Sequence, residues 1–224
     1  VPAFSSIVRK MTTPAENVVV MTPVYNIFFN SILNNGRNVL ENRLILKDGK
    51  YEIDFEDLEK KLDDPQTSML LLCNPHNPVG KIWDRDTLER IGELCWKHHV
   101  LVLSDEIHCD LTAPGREYVP FASVSEKCRE NSITCVAPTK AFNLAGLQTA
   151  AVIVPDENIR HKVNRGLNTD EVAEPNVFAA IAPVAAFEKG EQWLDELREY
   201  LFENRRYAEN FIAHQIEGIR PVSG

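Results

Sequence analysis

Three groups with chemical capacity sit directly after short apolar runs in this sequence. Lys140 follows Ile133-Thr-Cys-Val136, with Pro138 to stop the strand and the small residues of Asn143-Leu-Ala-Gly146 to fold the chain back. A lysine held in a packed turn is a candidate nucleophile, because partial burial lowers its pKa and frees the amine for Schiff-base chemistry. Asp105 follows Val100-Leu-Val-Leu-Ser104, and the turn Asn74-Pro-His-Asn-Pro-Val-Gly80 follows Met69-Leu-Leu-Leu-Cys73. Each has a plain structural alternative. Most lysines are solvated surface charges, an Asp after a strand often caps a helix, and two prolines can serve only to stiffen a turn.

The elements around these residues decide between the readings. Strands that are apolar throughout, with an amphipathic stretch from about 86 to 98 between the first two, are the mark of a parallel sheet covered on both faces. In open α/β sheets ligands bind beyond the carboxyl ends of the strands, so Asn74 to Asn77, Asp105 and Lys140 converge on one crevice. Along the rest of the chain, Phe4, Ile7, Val8 and Met11 give a first amphipathic helix, and Val18-Val-Val-Met21 reads as a buried strand. Tyr25 lies just past that strand, before a helix ended by Asn34-Asn-Gly36. Residues 38–52 alternate around Asp48-Gly49 and read as a hairpin, and Asp54 caps a helix over 55–62. The crossover over 105–131 is less regular. A strand over 149–154 is expected to turn back antiparallel, and Asp156 to cap a helix to about Leu167. Helices over 176–189 and 191–214 close the chain, the last with Trp193, Leu194, Leu197, Leu201 and Phe211 as expected core positions.

Composition narrows the function classes. A chain of 224 residues with 44% hydrophobic content can bury a real core, and a net charge of −9 argues against a nucleic-acid surface. Cys73, Cys95, Cys109, Cys128 and Cys135 show neither a C-x-x-C pair nor zinc-finger spacing and read as reduced thiols. No apolar run reaches the length of a membrane span and no signal-peptide layout is present, so the cytoplasm is the default expectation. The chain opens at Val1 rather than Met and closes at Val222-Ser-Gly224 without a clear terminal element, so it reads as an excised piece, truncated at both ends.

The segment Ala137-Pro-Thr-Lys-Ala-Phe-Asn-Leu-Ala-Gly-Leu147 resembles the lysine segment of fold-type I pyridoxal 5'-phosphate (PLP) enzymes, and within them the branch of the class I/II aminotransferase-like family that holds cystathionine β-lyases. Asp105-Glu-Ile-His108 resembles the family's Asp-x-x-Tyr motif with His in place of Tyr, as is common in the lyase-like branch. Residues 74–80 resemble its Asn-Pro-x-Asn-Pro-x-Gly turn. The resemblance covers nearly the whole chain. It implies a three-layer α/β fold of the PLP-transferase type, with a mostly parallel sheet and one antiparallel strand. It implies that Lys140 holds the cofactor and moves the Cα proton, that Asp105 pairs with the pyridine nitrogen, and that Asn77 and His108 donate to the ring oxygen. Tyr25 would stack on the ring and Thr139 would reach the phosphate, with backbone donors at the helix that starts at Val1-Pro-Ala3.

Two positions depart from the family pattern: Ala137 stands where many relatives have Ser, and Gln148 where many aminotransferases have Arg. The implied function is α,β-elimination from cystathionine or another cysteine thioether. Transamination is the alternative, and a regulatory or binding module is the alternative of another class. The family further implies an amino-acid substrate, a homodimer with sites at the interface, and a small domain largely absent from residues 1–224, which would form the large catalytic domain. Among the remaining polar residues, His76, His161 and His214 read as surface groups. His98-His99 reads as a helix end rather than a metal site, and Glu106 as pointing away from Asp105.

Overall fold

The structure, a computed structural model, describes residues 1–222; Ser223 and Gly224, at the end read above as lacking a terminal element, lie outside it. The chain begins with α1 (Pro2–Met11), β1 (Asn17–Thr22), α2 (Ile27–Leu33), β2 (Asn38–Arg43), β3 (Ile45–Lys47), β4 (Lys50–Glu52) and α3 (Phe55–Leu62). It continues with β5 (Thr67–Cys73), α4 (Arg85–Lys97), β6 (Leu101–Asp105), α5 (Glu126–Glu130), β7 (Ser132–Val136) and the four-residue α6 (Pro138–Ala141). The last elements are β8 (Ala151–Ile153), α7 (Glu157–Thr169), α8 (Val177–Lys189) and α9 (Glu191–Gln215).

One six-stranded sheet organises these elements in the order β2-β1-β5-β6-β7-β8. The first five strands are parallel and β8 runs antiparallel to β7, as expected from the short return after Lys140. Side chains that alternate along each strand build two cores. Val18, Val20, Met69, Leu71, Leu103 and Ile133 pack on one side with Phe4, Ile7, Phe28 and Val163 of α1, α2 and α7. Val19, Met21, Leu70, Leu72 and Val102 face the other, against Leu58, Leu62, Leu88 and Ile91 of α3 and α4. Helix, sheet and helix thus form the expected three layers. The helix starts follow from local chemistry: Asp54, Asp84 and Asp156 accept hydrogen bonds from the backbone N–H groups of Asp57, Thr87 and Ile159 at 3.0, 2.8 and 2.7 Å.

Two expectations are corrected. Residues 38–52 are not one hairpin. Asn38–Arg43 pairs parallel with β1, from Asn17 opposite Asn38 to Thr22 opposite Arg43, and only β3 and β4 form the hairpin around Asp48-Gly49. The reason lies in Asn42, fully buried, whose amide donates to the Asp54 carbonyl at 3.0 Å and to Asp57 Oδ2 at 2.8 Å and draws the strand onto α3. Nor does α9 bury a core face. Trp193, Leu201 and Phe211 are exposed, Leu194 and Leu197 are half-buried, and no residue of the helix is fully buried. Its amphipathic pattern is real, but among the described residues its apolar side is covered only in part, where Phe142 stacks on Trp193.

Candidate active site

The strands β1, β5, β6 and β7 are consecutive neighbours in the sheet, so the loops at their carboxyl ends lie side by side. These loops carry Tyr25, Asn77, Asp105 and Lys140, with Thr139 and His108 adjacent in sequence. Register fixes Asp105 at the centre of this edge, opposite Cys73 on one side and Cys135 on the other.

Asp105 is 7% exposed and has no ion-pair partner among the described residues. Burial pushes its carboxyl up from 3.8 to about 6. The Ile107 N–H at 3.3 Å and the charge of Lys140 pull in the opposite direction. The same charge is felt by the neighbouring thiols. Burial first, and the Asp105 carboxylate second, raise Cys73 to about 12 and push Cys135 up as well. Asp105 therefore creates a negative, poorly solvated spot open to a cationic partner.

Lys140 sits in α6 and is exposed, which corrects the expectation of a lysine packed into its turn. Its charge acts on both Asp105 and His108, so the structure brings these three together. His108 is half-buried, and burial, then Lys140, lowers its pKa, which leaves the imidazole neutral near pH 7. Asn77 is half-buried, with its backbone N–H 3.5 Å from Cys73 Sγ and its side-chain amide unbonded among the described residues. The Thr139 hydroxyl is likewise unbonded and half-buried. Tyr25 is half-buried edge-on against Phe28, with ring centroids 6.0 Å apart. Val1, which precedes α1, lies close enough to act on Asp105 and Cys135, so the N-terminal end of α1 is near the same edge.

Behind the edge, Asn74 ties two of these loops together. Its N–H donates to the Asp105 carbonyl at 3.0 Å, its carbonyl accepts from the Tyr118 hydroxyl at 2.8 Å, and its Oδ1 accepts from the Trp83 N–H at 3.2 Å. Glu106 points away from Asp105 as expected, accepting from Ser104 Oγ at 2.9 Å and Phe121 N at 3.1 Å. Sequence reading missed Tyr118, which carries no motif, and misplaced His76, which is buried rather than on the surface. The available signal for His76 was the alternation of the turn, where Asn74 and His76 point inward and Pro75 and Asn77 less so. The other histidines fall as expected: His98 caps the end of α4 with Nδ1 3.1 Å from Asp63, and His161 and His214 are exposed. Among the described residues no group of His, Cys, Asp or Glu could hold a metal, and no helix is long and apolar enough to cross a membrane.

This arrangement sets an exposed amine near a buried carboxylate that a cationic partner would stabilise. Comparison with known proteins points the same way. The family model for aminotransferase class I and II matches residues 4–221. The chain is 46% identical over 220 residues to the cystathionine beta-lyase PatB of Bacillus subtilis, covering 98% of this chain and 57% of that protein. It is 34% identical to the protein MalY of Escherichia coli, over 91% of this chain and 52% of that one. The solved structure of cystalysin from Treponema denticola, which contains a pyridoxal 5'-phosphate cofactor, superposes with a TM-score of 0.96 at 35% identity, covering 99% of this chain and 56% of that one. The chain thus spans a little over half the length of these relatives. With the family model matching residues 4–221 and a relative 46% identical over 98% of this chain, the chain belongs to the aminotransferase class I and II family.

Proposed function

We propose that the chain is the large, cofactor-binding domain of a PLP-dependent carbon–sulfur β-lyase, acting on cystathionine or a related cysteine thioether. The observation that carries the reading is the buried, unpaired carboxylate of Asp105 at the centre of a sheet edge that also presents Lys140. A carboxylate that burial disfavours is stabilised by a protonated ring nitrogen, and the free amide of Asn77, the neutral ring of His108 and the free hydroxyl of Thr139 match the remaining polar atoms of the cofactor. The residues present therefore fit PLP. Lys140 would hold its aldehyde, Asp105 its pyridine nitrogen, Asn77 and His108 its ring oxygen, Tyr25 its ring face, and Thr139 with the first turn of α1 its phosphate.

When bound, the cofactor supplies an electron sink for negative charge at the substrate Cα. Asp105 holds the proton on the pyridine nitrogen that makes the sink effective. Lys140, exposed and within electrostatic reach of Asp105 and His108, takes the Cα proton on Nζ. Loss of that proton and of a thiolate from Cβ leaves an unsaturated amino acid that hydrolyses to pyruvate and ammonia. Elimination is favoured over transamination by the relative named cystathionine beta-lyase at 46% identity, and by Gln148 at the place of the aminotransferase Arg. The exposed apolar faces of α8 and α9 support a homodimer and an additional small domain in the intact protein, and five free cysteines suit the cytoplasm.

The intact protein incubated with cystathionine is expected to release pyruvate, ammonia and a thiol without any keto acid. Turnover only with an added keto acid, with a new amino acid formed in step, identifies an aminotransferase instead.

A further inference from the structure

The imidazole of His76 is 1% exposed, and none of the roles above uses it. It belongs to the turn after β5, one residue before Asn77. Its own turn fixes it: His76 N donates to the Lys81 carbonyl at 2.7 Å and Gly80 N donates to the His76 carbonyl at 2.8 Å. The ring stands edge-on to Trp83, with centroids 5.7 Å apart at 80°. Trp83 in turn is held by its N–H bond to Asn74 Oδ1. One hydrogen bond of the imidazole leaves this turn, and the carbonyls of Met21 and Cys73, in β1 and β5, also act on the ring. Nε2 lies 2.9 Å from the carbonyl oxygen of Pro23, in the loop after β1 that leads two residues later to Tyr25. A carbonyl only accepts, so Nε2 carries the proton. Burial lowers the pKa of the ring, which stays neutral near pH 7 with Nδ1 as its bare nitrogen. Among the described residues no other hydrogen bond joins these two loops.

We propose that His76 is a positioning residue whose Nε2–H bond to the Pro23 carbonyl locks the loop bearing Tyr25 to the turn bearing Asn77, so that ring-face contact and ring-oxygen donor are set together. The inference rests on the reading of this edge as a PLP site. A histidine that merely filled the core would need its volume but not a donor at the ε position, and this difference is testable. His76→Gln keeps an amide N–H at the reach of Nε2. His76→Asn carries its amide at the δ position, too short for Pro23, and His76→Phe keeps the ring without a donor.

The experiment measures PLP affinity and the visible absorption maximum of the bound cofactor for the intact wild type and the three variants, with unfolding midpoints of the cofactor-free forms to verify folding. His76→Gln is expected to stay within about threefold of wild type with an unchanged band. His76→Asn and His76→Phe are expected to bind about tenfold more weakly, the size of one lost buried hydrogen bond, with a shifted band. If His76→Phe does not fold, the Gln and Asn pair decides on the same terms. Wild-type affinity in His76→Asn, or equal losses in His76→Gln and His76→Asn, overturns the positioning role while leaving the functional reading intact. A wild type that takes up no PLP overturns the functional reading and this inference with it.

Discussion

Asp105, the proposed partner of the pyridine nitrogen, carries a cost to the cofactor-free fold. Its carboxyl has an ordinary value of 3.8 and sits at about 6 here. Between these pH values the folded chain keeps a proton that the unfolded chain has lost, so stability falls as pH rises across that window and stays lowered above it. At pH 7 the buried charge costs the cofactor-free protein on the order of 2 to 3 kcal/mol. Asp105→Asn is therefore expected to raise the thermal midpoint of the cofactor-free protein at pH 7 and to change it little at pH 4. The same variant should slow exchange of the substrate α-proton with solvent roughly 100-fold or more. Near wild-type exchange would reduce Asp105 to a structural role. The types and spacing of Lys140, Asp105, Asn77 and His108 were legible in the sequence because each follows an apolar strand. Their environments were not. Burial depends on what covers the sheet edge, which left Lys140 exposed where packing was expected and His76 enclosed where a surface position was expected.

At the scale of elements, the lysine rides on a helix too short to persist alone. Four residues close scarcely more than one turn, and such a nucleus is unfavourable in isolation. The corner between α8 and α9 holds it. Phe142, two residues after Lys140, meets Phe187 edge-on and stacks on Trp193, both with centroids 5.8 Å away. Asn176 Nδ2 donates to the Leu147 carbonyl at 2.8 Å and pins the far end of the segment. Gly190 leaves room for the ring, since an added Cβ would come within 2.5 Å of Phe142 Cε1 and 2.4 Å of the Ala186 carbonyl oxygen. Trp193→Ala is expected to speed backbone hydrogen exchange over residues 138–147 and to weaken PLP binding several-fold, with exchange in the β5 and β6 core unchanged. Unaltered exchange in 138–147 would show that α6 is held from elsewhere. Helix starts were readable because an Asp side chain and the next turn of backbone are local partners. The parallel pairing of β2 was not, because the bonds of Asn42 reach residues 12 and 15 positions away.

Across the whole molecule, the two cores around the sheet are closed while the apolar side of α8 and α9 is open. Phe178 is 69% and Ile181 64% exposed, on a helix in which only Ala179 is buried. Exposure of this kind fits the proposed cover by another chain or domain. If the intact protein is a homodimer through this face, Phe178→Glu with Ile181→Glu should halve its mass in sedimentation. An unchanged mass would place the subunit contact elsewhere. The amphipathic period of α9 was legible in the sequence, but periodicity names the face that must be covered and not the partner that covers it.

Lys140 is proposed to hold the cofactor, and chemical trapping of the bound group identifies the lysine concerned. The intact protein loaded with PLP is reduced with borohydride, digested, and its peptides mapped by mass. The label is expected on Lys140, within the segment Ala137-Pro-Thr-Lys-Ala-Phe-Asn. A phosphopyridoxyl group on any other lysine, or on none, would rule out Lys140 as the residue that holds the cofactor.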